Sequence, residues 1–262
     1  MFVKTNVRKG SGEFKAYGVW WGSCTAPASM ELSCIRAGGQ WTNKTTGEEA
    51  GEGLYYHYRK FQELVWPERI WENGPYKNYW ADKVLECWLE ATYLGIMGCA
   101  ASGKSDSLGV ICLTDWYAWP DCNTTLVSST DLKMLELRIW GMIKKYHKSA
   151  KKSHSWIPGH LIEGKQIILR DAREEYTEGR DHLSAIIGCP CKRGNQYVGL
   201  GSYIGLHNKR VRLIADESQL MAKGFLDSTA NLSKCPDFKM AAPGNPNETT
   251  NAHGILCEPD IS

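Results

Sequence analysis

The sequence predicts an α/β fold: a mainly parallel central sheet flanked by helices. Three observations lead there. Strand-like and helical signals alternate along the chain, the pattern of parallel strands joined by crossover helices. A glycine-rich turn stands between a short apolar strand and a helix. Two later apolar strands end in Asp-Glu and in Gly-Asn-Pro.

Taken in chain order, residues 1 to about 55 are rich in Gly, Ser and Thr, and Lys44 to Gly53 reads as an exposed loop. The Cys24 to Cys34 spacing matches no zinc pattern, and the segment is left as an extension without an assigned role. Leu54 to Glu72 has helical character, broken at Pro67. Asn78 to Glu90 is a helix with Trp80, Val84, Leu85, Trp88 and Leu89 on one face. Thr92 to Met97 is a short apolar run suited to a buried strand, and Ser105 to Trp119 is the helix beyond the turn, stopped by Pro120. Asn123 to Ser129 is a second strand. A helix follows to about Tyr146, capped by Thr130 or Asp131, with Leu132, Leu135, Ile139, Ile143 and Tyr146 at helical spacing. Gly164 to Arg170 and His182 to Gly188 are strand-like, with a polar loop from Glu174 to Asp181 between them. Arg210 to Glu217 and Phe238 to Pro246 complete the set of strands.

Gly98-Cys99-Ala100-Ala101-Ser102-Gly103-Lys104-Ser105 is a complete G-x-x-x-x-G-K-[ST] match. Its glycines let backbone N–H groups curl around phosphate oxygens. Lys104 reaches the outer phosphates, and the Ser105 hydroxyl can ligate Mg²⁺. The helix that follows points its positive end at the same phosphates. These eight residues are the candidate ATP-binding loop.

Arg210-Val-Arg-Leu-Ile-Ala-Asp216-Glu217 is the second anchor. Asp216 would complete the Mg²⁺ coordination sphere with Ser105, and Glu217 would polarise the attacking water. The third is Ala241-Ala-Pro-Gly-Asn245-Pro, an apolar strand running into a turn. In phosphate-loop ATPases of the strand-inserted (ASCE, RecA-like) class, an extra strand lies between those carrying the first two motifs. Its tip nears the γ-phosphate, where the Asn245 amide can sense occupancy. An ordinary Pro-Gly-Asn turn is the alternative reading. Tyr79 and Trp80 precede the first motif strand. They are either core residues or a stacking surface for the nucleotide base, and Trp80 is the candidate base contact.

Composition narrows the class. The chain has 262 residues, 42% hydrophobic and 23% charged, with a formal net charge of +2, so no global charge points to nucleic acid or membrane. No apolar run approaches a membrane span. Met1 to Asn6 has no apolar export core, so the ten cysteines are expected to be reduced and the compartment cytosolic. Cys189-Pro-Cys191 supplies only two ligands and is not read as a metal site. Lys144, Lys145, Lys148, Lys151 and Lys152 cluster at a helix end. They either complement the helix dipole or contact a phosphate backbone.

Four stretches together resemble the ATPase domain of the tailed-phage terminase large subunit: GCAASGKS, LVSSTDLKMLELRIWGMI, GLHNKRVRLIADESQLM and AAPGNPNE. They span roughly residues 78 to 250 in the order that family uses. The resemblance implies ATP hydrolysis coupled to translocation of double-stranded DNA into a procapsid. It further implies a ring, typically of five subunits, with the portal protein and the small terminase subunit as partners, in the host cytoplasm and transiently on the procapsid. It implies an arginine finger, for which Arg138 is the best candidate. The phosphate loop itself carries no arginine, unlike that of some members, which favours a finger supplied in trans. The family's C-terminal nuclease domain has no counterpart before Ser262, so no DNA cleavage is expected. The resulting division is an extension over 1–55 and an ATPase domain over 56–262. A helicase-like nucleic-acid motor and a regulatory ATP-binding switch stand as alternatives. The first would need a second RecA-like domain, and the second would not need Glu217.

Overall fold

The computed structural model describes residues 2–6, 50–71, 76–170, 184–191, 208–221 and 224–257. Eight strands form one sheet: β1 (Phe2–Asn6), β2 (Tyr93–Met97), β3 (Asn123–Ser129), β4 (His160–Ile162), β5 (Ile167–Leu169), β6 (Ala185–Pro190), β7 (Arg210–Ala215) and β8 (Asp237–Gly244). Their spatial order is β1-β2-β8-β7-β3-β6-β5-β4. The five central strands, β2, β8, β7, β3 and β6, pair in parallel, whereas at the two edges β1 pairs antiparallel with β2, β5 with β6, and β4 with β5.

Helices cover both faces. They are α1 (Ala50–Val65), α2 (Tyr79–Glu90), α3 (Lys104–Ala118), α4 (Leu132–Leu137), α5 (Ile139–Ser153), α6 (Gly224–Leu232) and α7 (Ala252–Cys257), with short 3₁₀ turns at Pro67–Arg69 and Ser218–Leu220. One apolar core lies between the sheet and α1, α2, α3 and α5, built on Phe61, Trp66, Trp88, Trp116, Tyr117 and Trp140. A smaller core on the opposite face joins Val211, Leu213, Phe238 and Met240 to Phe225 and Leu232 of α6. Trp66, Trp88, Trp116 and Trp140 are therefore packing residues. Cys189 and Cys191 also lie in this second core.

Buried charge is concentrated where β7 and β8 begin. The Asp115 carboxylate of α3 accepts hydrogen bonds from Tyr58 Oη (2.8 Å), Asn123 Nδ2 (3.0 Å), Arg212 Nε (3.0 Å) and Arg210 Nη2 (3.3 Å). Asp237 holds the same two guanidiniums from the other side. Both carboxylates stay ionised, Asp115 buried and Asp237 half-buried. The arginines more than offset the upward pull of desolvation and hold both pKa values down, that of Asp237 at about 2. Lys239 Nζ caps α2, donating to the carbonyls of Trp88, Leu89 and Ala91.

The structure corrects several expectations. The strand expected within Gly164–Arg170 is β5. It pairs antiparallel with β6, and with the unforeseen β4 because the tight turn over 163–166 leaves no room for a crossover helix. Residues 2–6, placed in the extension, form edge strand β1 against β2. Ala50 to Gly53, expected in a loop, opens α1. The helix after β3 is capped by Asp131, whose carboxylate accepts from Met134 N at 2.8 Å, but it breaks at Arg138 (φ −113°, ψ −109°). Beyond the break α5 runs on to Ser153, because Ile139, Ile143, His147 and Ala150 continue the buried stripe. Cys24, Cys34, the loop over 174–181 and the Gly205-Leu-His lead-in lie outside the described residues.

Candidate active site

The parallel strands bring all three motifs to one edge of the sheet, at the carboxyl ends of β2, β7 and β8. This is where ligands bind in open α/β sheets. β8 lies between β2 and β7, so the Asn245 turn sits between the glycine-rich turn and the acid pair.

The turn begins where Gly98 N donates to Gly244 O at 3.1 Å, tying it to the end of β8. Ala101 (φ 60°) and Gly103 (φ 82°) take left-handed conformations that curl the chain back before α3. A Cβ at Gly103 would meet Asn78 Nδ2 at 2.1 Å, so only glycine fits there. Asn78 is a residue that sequence reasoning missed. Its Oδ1 caps α2 by accepting from Trp80 N (3.1 Å), while its Nδ2 donates to Ser102 O (3.2 Å). The cap therefore ties the start of α2, with the exposed Tyr79 and half-buried Trp80, to the glycine-rich turn. Their rings meet edge to face at 5.3 Å.

Lys104 folds back into this turn. Its Nζ donates to Gly98 O (2.5 Å), Cys99 O (2.7 Å), Ser102 Oγ (3.4 Å) and Asn245 Oδ1 (3.3 Å). The last contact joins the first motif to the third directly. Desolvation pulls the Lys104 pKa below the ordinary lysine value, with nearby Glu217 opposing it.

Ser105 Oγ donates to Asp216 Oδ1 at 2.8 Å, joining the first motif to the second. Asp216 Oδ2 is buried with no hydrogen-bond partner among the described residues. Burial pushes the Asp216 carboxyl up to about 6; Glu217 adds to the rise and the Ser105 hydroxyl opposes it. A small hard cation fits this pair, because it takes oxygen ligands and keeps most of its positions for water and phosphate. Among the described residues, no group of three or more His, Cys, Asp or Glu side chains could hold a metal by itself.

Glu217 has a left-handed backbone (φ 57°, ψ 46°). Its Oε1 is ion-paired with Arg138 Nη1, and its Oε2 accepts from Gln219 Nε2. Arg138 stands at the break between α4 and α5, inside the site of its own chain. Sequence reasoning placed it on a continuous helix and favoured delivery to a neighbour. It also missed Gln219, whose only signal is its position two residues after the second acid.

The basic stretch on α5 is largely engaged within the fold. Lys144 pairs with Glu136, Lys148 with Glu163 at 2.8 Å, and Lys151 Nζ donates to Ile157 O at 2.9 Å. Lys145 lies over the Tyr146 ring at 5.3 Å.

No family model matches the sequence, and no curated protein matches it. Among solved structures, a mutant of the large terminase ATPase domain of Thermus phage P74-26 is similar at 14% identity with a TM-score of 0.44. The match covers 60% of each chain, so this chain spans less than two thirds of that domain. So distant a likeness shows neither the fold class nor the function of this chain.

Proposed function

We propose that this chain is a Mg²⁺-dependent ATPase of the strand-inserted phosphate-loop class. One observation carries the reading: Lys104, Ser105, Asp216, Glu217 and Asn245, drawn from three separate motifs, converge at the carboxyl edge of adjacent parallel strands, with the Asn245 strand in the middle. The strand order β2-β8-β7-β3 supports the class.

In this reading the amides of Gly98 to Ser105 and the Lys104 ammonium hold the β- and γ-phosphates of ATP. Ser105 and Asp216 hold Mg²⁺, which when bound neutralises charge on those phosphates. Glu217 orients the attacking water and accepts its proton. Asn245, already within 3.3 Å of Lys104 Nζ, exchanges that contact for a γ-phosphate oxygen. Arg138 leaves Glu217 for the transferring phosphoryl group. Its position inside its own site supports a finger delivered in cis. Trp80 offers a face to the base. Most of the rate gain is electrostatic and positional.

The four-stretch sequence resemblance supports a narrower role: the ATPase domain of a terminase large subunit. It would drive double-stranded viral DNA into a procapsid from the host cytoplasm, as a ring, typically of five subunits, with portal protein and small terminase subunit as partners. The test of the chemistry is phosphate release from ATP with Mg²⁺, compared across wild type, Lys104→Ala and Glu217→Gln. Lys104→Ala is expected to lose turnover by about 10²-fold or more. Glu217→Gln is expected to bind ATP and hydrolyse it at a rate lower by roughly 10²–10⁴-fold. Normal turnover in Lys104→Ala overturns the reading.

A further inference from the structure

We infer that His253 is a positioning residue for the hydrolytic step: acting through Ser218, its imidazole holds the Glu217 turn in register with the strand that carries Asn245. The inference rests on the ATPase reading above.

His253 lies on α7, beyond all three motifs, and is 1% exposed. Its Nδ1 is 2.9 Å from Ser218 Oγ, and that hydroxyl is also 3.2 Å from Pro243 O. Gly244 makes the approach possible: a Cβ there would lie 2.7 Å from the His253 ring and 2.7 Å from Gln219 Oε1. One buried ring thus touches the residue after Glu217 and the strand end before Asn245. Burial keeps it neutral, with the pKa pushed down to about 4, so it presents one donor and one acceptor nitrogen.

The need for such a brace comes from Glu217 itself. A left-handed backbone at a non-glycine residue is strained and persists only where its surroundings over-determine it. Two neighbours do so here. Gln219 holds the Glu217 carboxylate, and Ser218, fixed between β8 and α7, holds the backbone that follows. Releasing Ser218 lets the turn relax and moves the carboxylate away from the line of attack. A displacement of 1 Å at a reacting group costs about 100-fold. The bonds of Lys104 to Gly98 O and Cys99 O and of Ser105 to Asp216 do not involve His253, so nucleotide affinity is expected to change less than turnover.

The experiment compares wild type, His253→Leu, His253→Asn and Ser218→Ala in the full chain, measuring folding by circular dichroism, Mg²⁺-ATP affinity, and kcat and KM for ATP. His253→Leu and Ser218→Ala are expected to lower kcat by about 10-fold or more, with affinity and KM held within about twofold. His253→Asn, whose amide can meet Ser218 Oγ from the place of Nδ1, is expected to recover most of kcat. A kcat within about twofold of wild type in a folded His253→Leu protein overturns the inference, as does a folded His253→Asn protein no faster than His253→Leu. If His253→Leu does not fold, Ser218→Ala, which removes a single oxygen, decides by the same criterion. A wild-type protein that neither binds nor hydrolyses ATP overturns the ATPase reading itself, and the role of His253 with it.

Discussion

Arg138 Nη1 is ion-paired with Glu217 Oε1, joining the break between α4 and α5 to the turn that follows β7. Gln219 Nε2 holds the other carboxylate oxygen. Both oxygens of the acid that would orient water are therefore engaged by the chain's own side chains. A triphosphate offers the guanidinium a denser negative charge than one carboxylate does. Under the proposed function, binding of substrate and release of Glu217 would be one event.

If Arg138 serves its own site, Arg138→Ala lowers kcat by roughly 10³-fold or more. Mixing Arg138→Ala with Glu217→Gln then leaves the mixture as inactive as its components, even at high protein concentration. Recovery of turnover on mixing would assign the arginine to a neighbouring subunit instead.

The contact between Ser105 and Asp216 predicts a defect in metal use. Asp216→Asn removes the charge beside Ser105 and is expected to raise the Mg²⁺ concentration for half-maximal turnover by about 10–100-fold. Titrating Mg²⁺ at fixed ATP measures this. An unchanged Mg²⁺ dependence would leave Asp216 a structural acid only.

Stability should depend on a different carboxylate. Asp115 is the common partner of Arg210, Arg212, Tyr58 and Asn123. Asp115→Ala leaves two buried guanidiniums short of counter-charge, at an expected cost of about 3–5 kcal/mol in urea denaturation. A loss under about 1 kcal/mol would show that Asp237 carries the pair alone.

Acid should destabilise the fold well above the usual carboxylate range. His147, bonded to Tyr117 Oη at 2.6 Å, and His253 are both buried and held neutral, each with its pKa lowered by desolvation from 6.5 to about 4. The unfolded chain takes up these protons first, so stability falls as pH drops from 6.5 towards 4, by about 1.4 kcal/mol per unit per imidazole at most. Asp216 acts in the opposite sense between about 6 and 3.8, because its folded pKa is raised, and offsets one of the two. The net expectation is a loss of about 1 kcal/mol per pH unit over this window, read from denaturation midpoints. Below it, Asp237, held at about 2, extends the loss. A flat profile from pH 6.5 to 4 would mean that the two imidazoles are hydrated.

Much of the site was legible because its signals are local. The Gly98–Ser105 pattern, the Asp216-Glu217 pair and the Gly-Asn245-Pro turn each combine a backbone requirement with a chemical group within a few residues. Asn78 was legible as a helix start, but not as the residue that clasps Ser102. His253 had no local signal at all, being one imidazole on a six-residue helix. Edge strands β1 and β4 were missed for a related reason. Each is short, and β1 is followed by a long Gly- and Ser-rich stretch with no alternating pattern.

The kind and order of most elements follow from neighbours in the chain. Apolar periodicity, caps such as Asp131 and breakers such as Pro120 act over one or two turns, so they can be read residue by residue. Which groups meet does not follow from them. Ser105 and Asp216 touch across 111 positions, and Lys104 and Asn245 across 141, because β2, β8 and β7 lie side by side in the sheet. The break that turns Arg138 towards Glu217 and the seat of His253 under Ser218 are choices of packing. They are made by whole faces burying one another, and no short stretch of chain contains them.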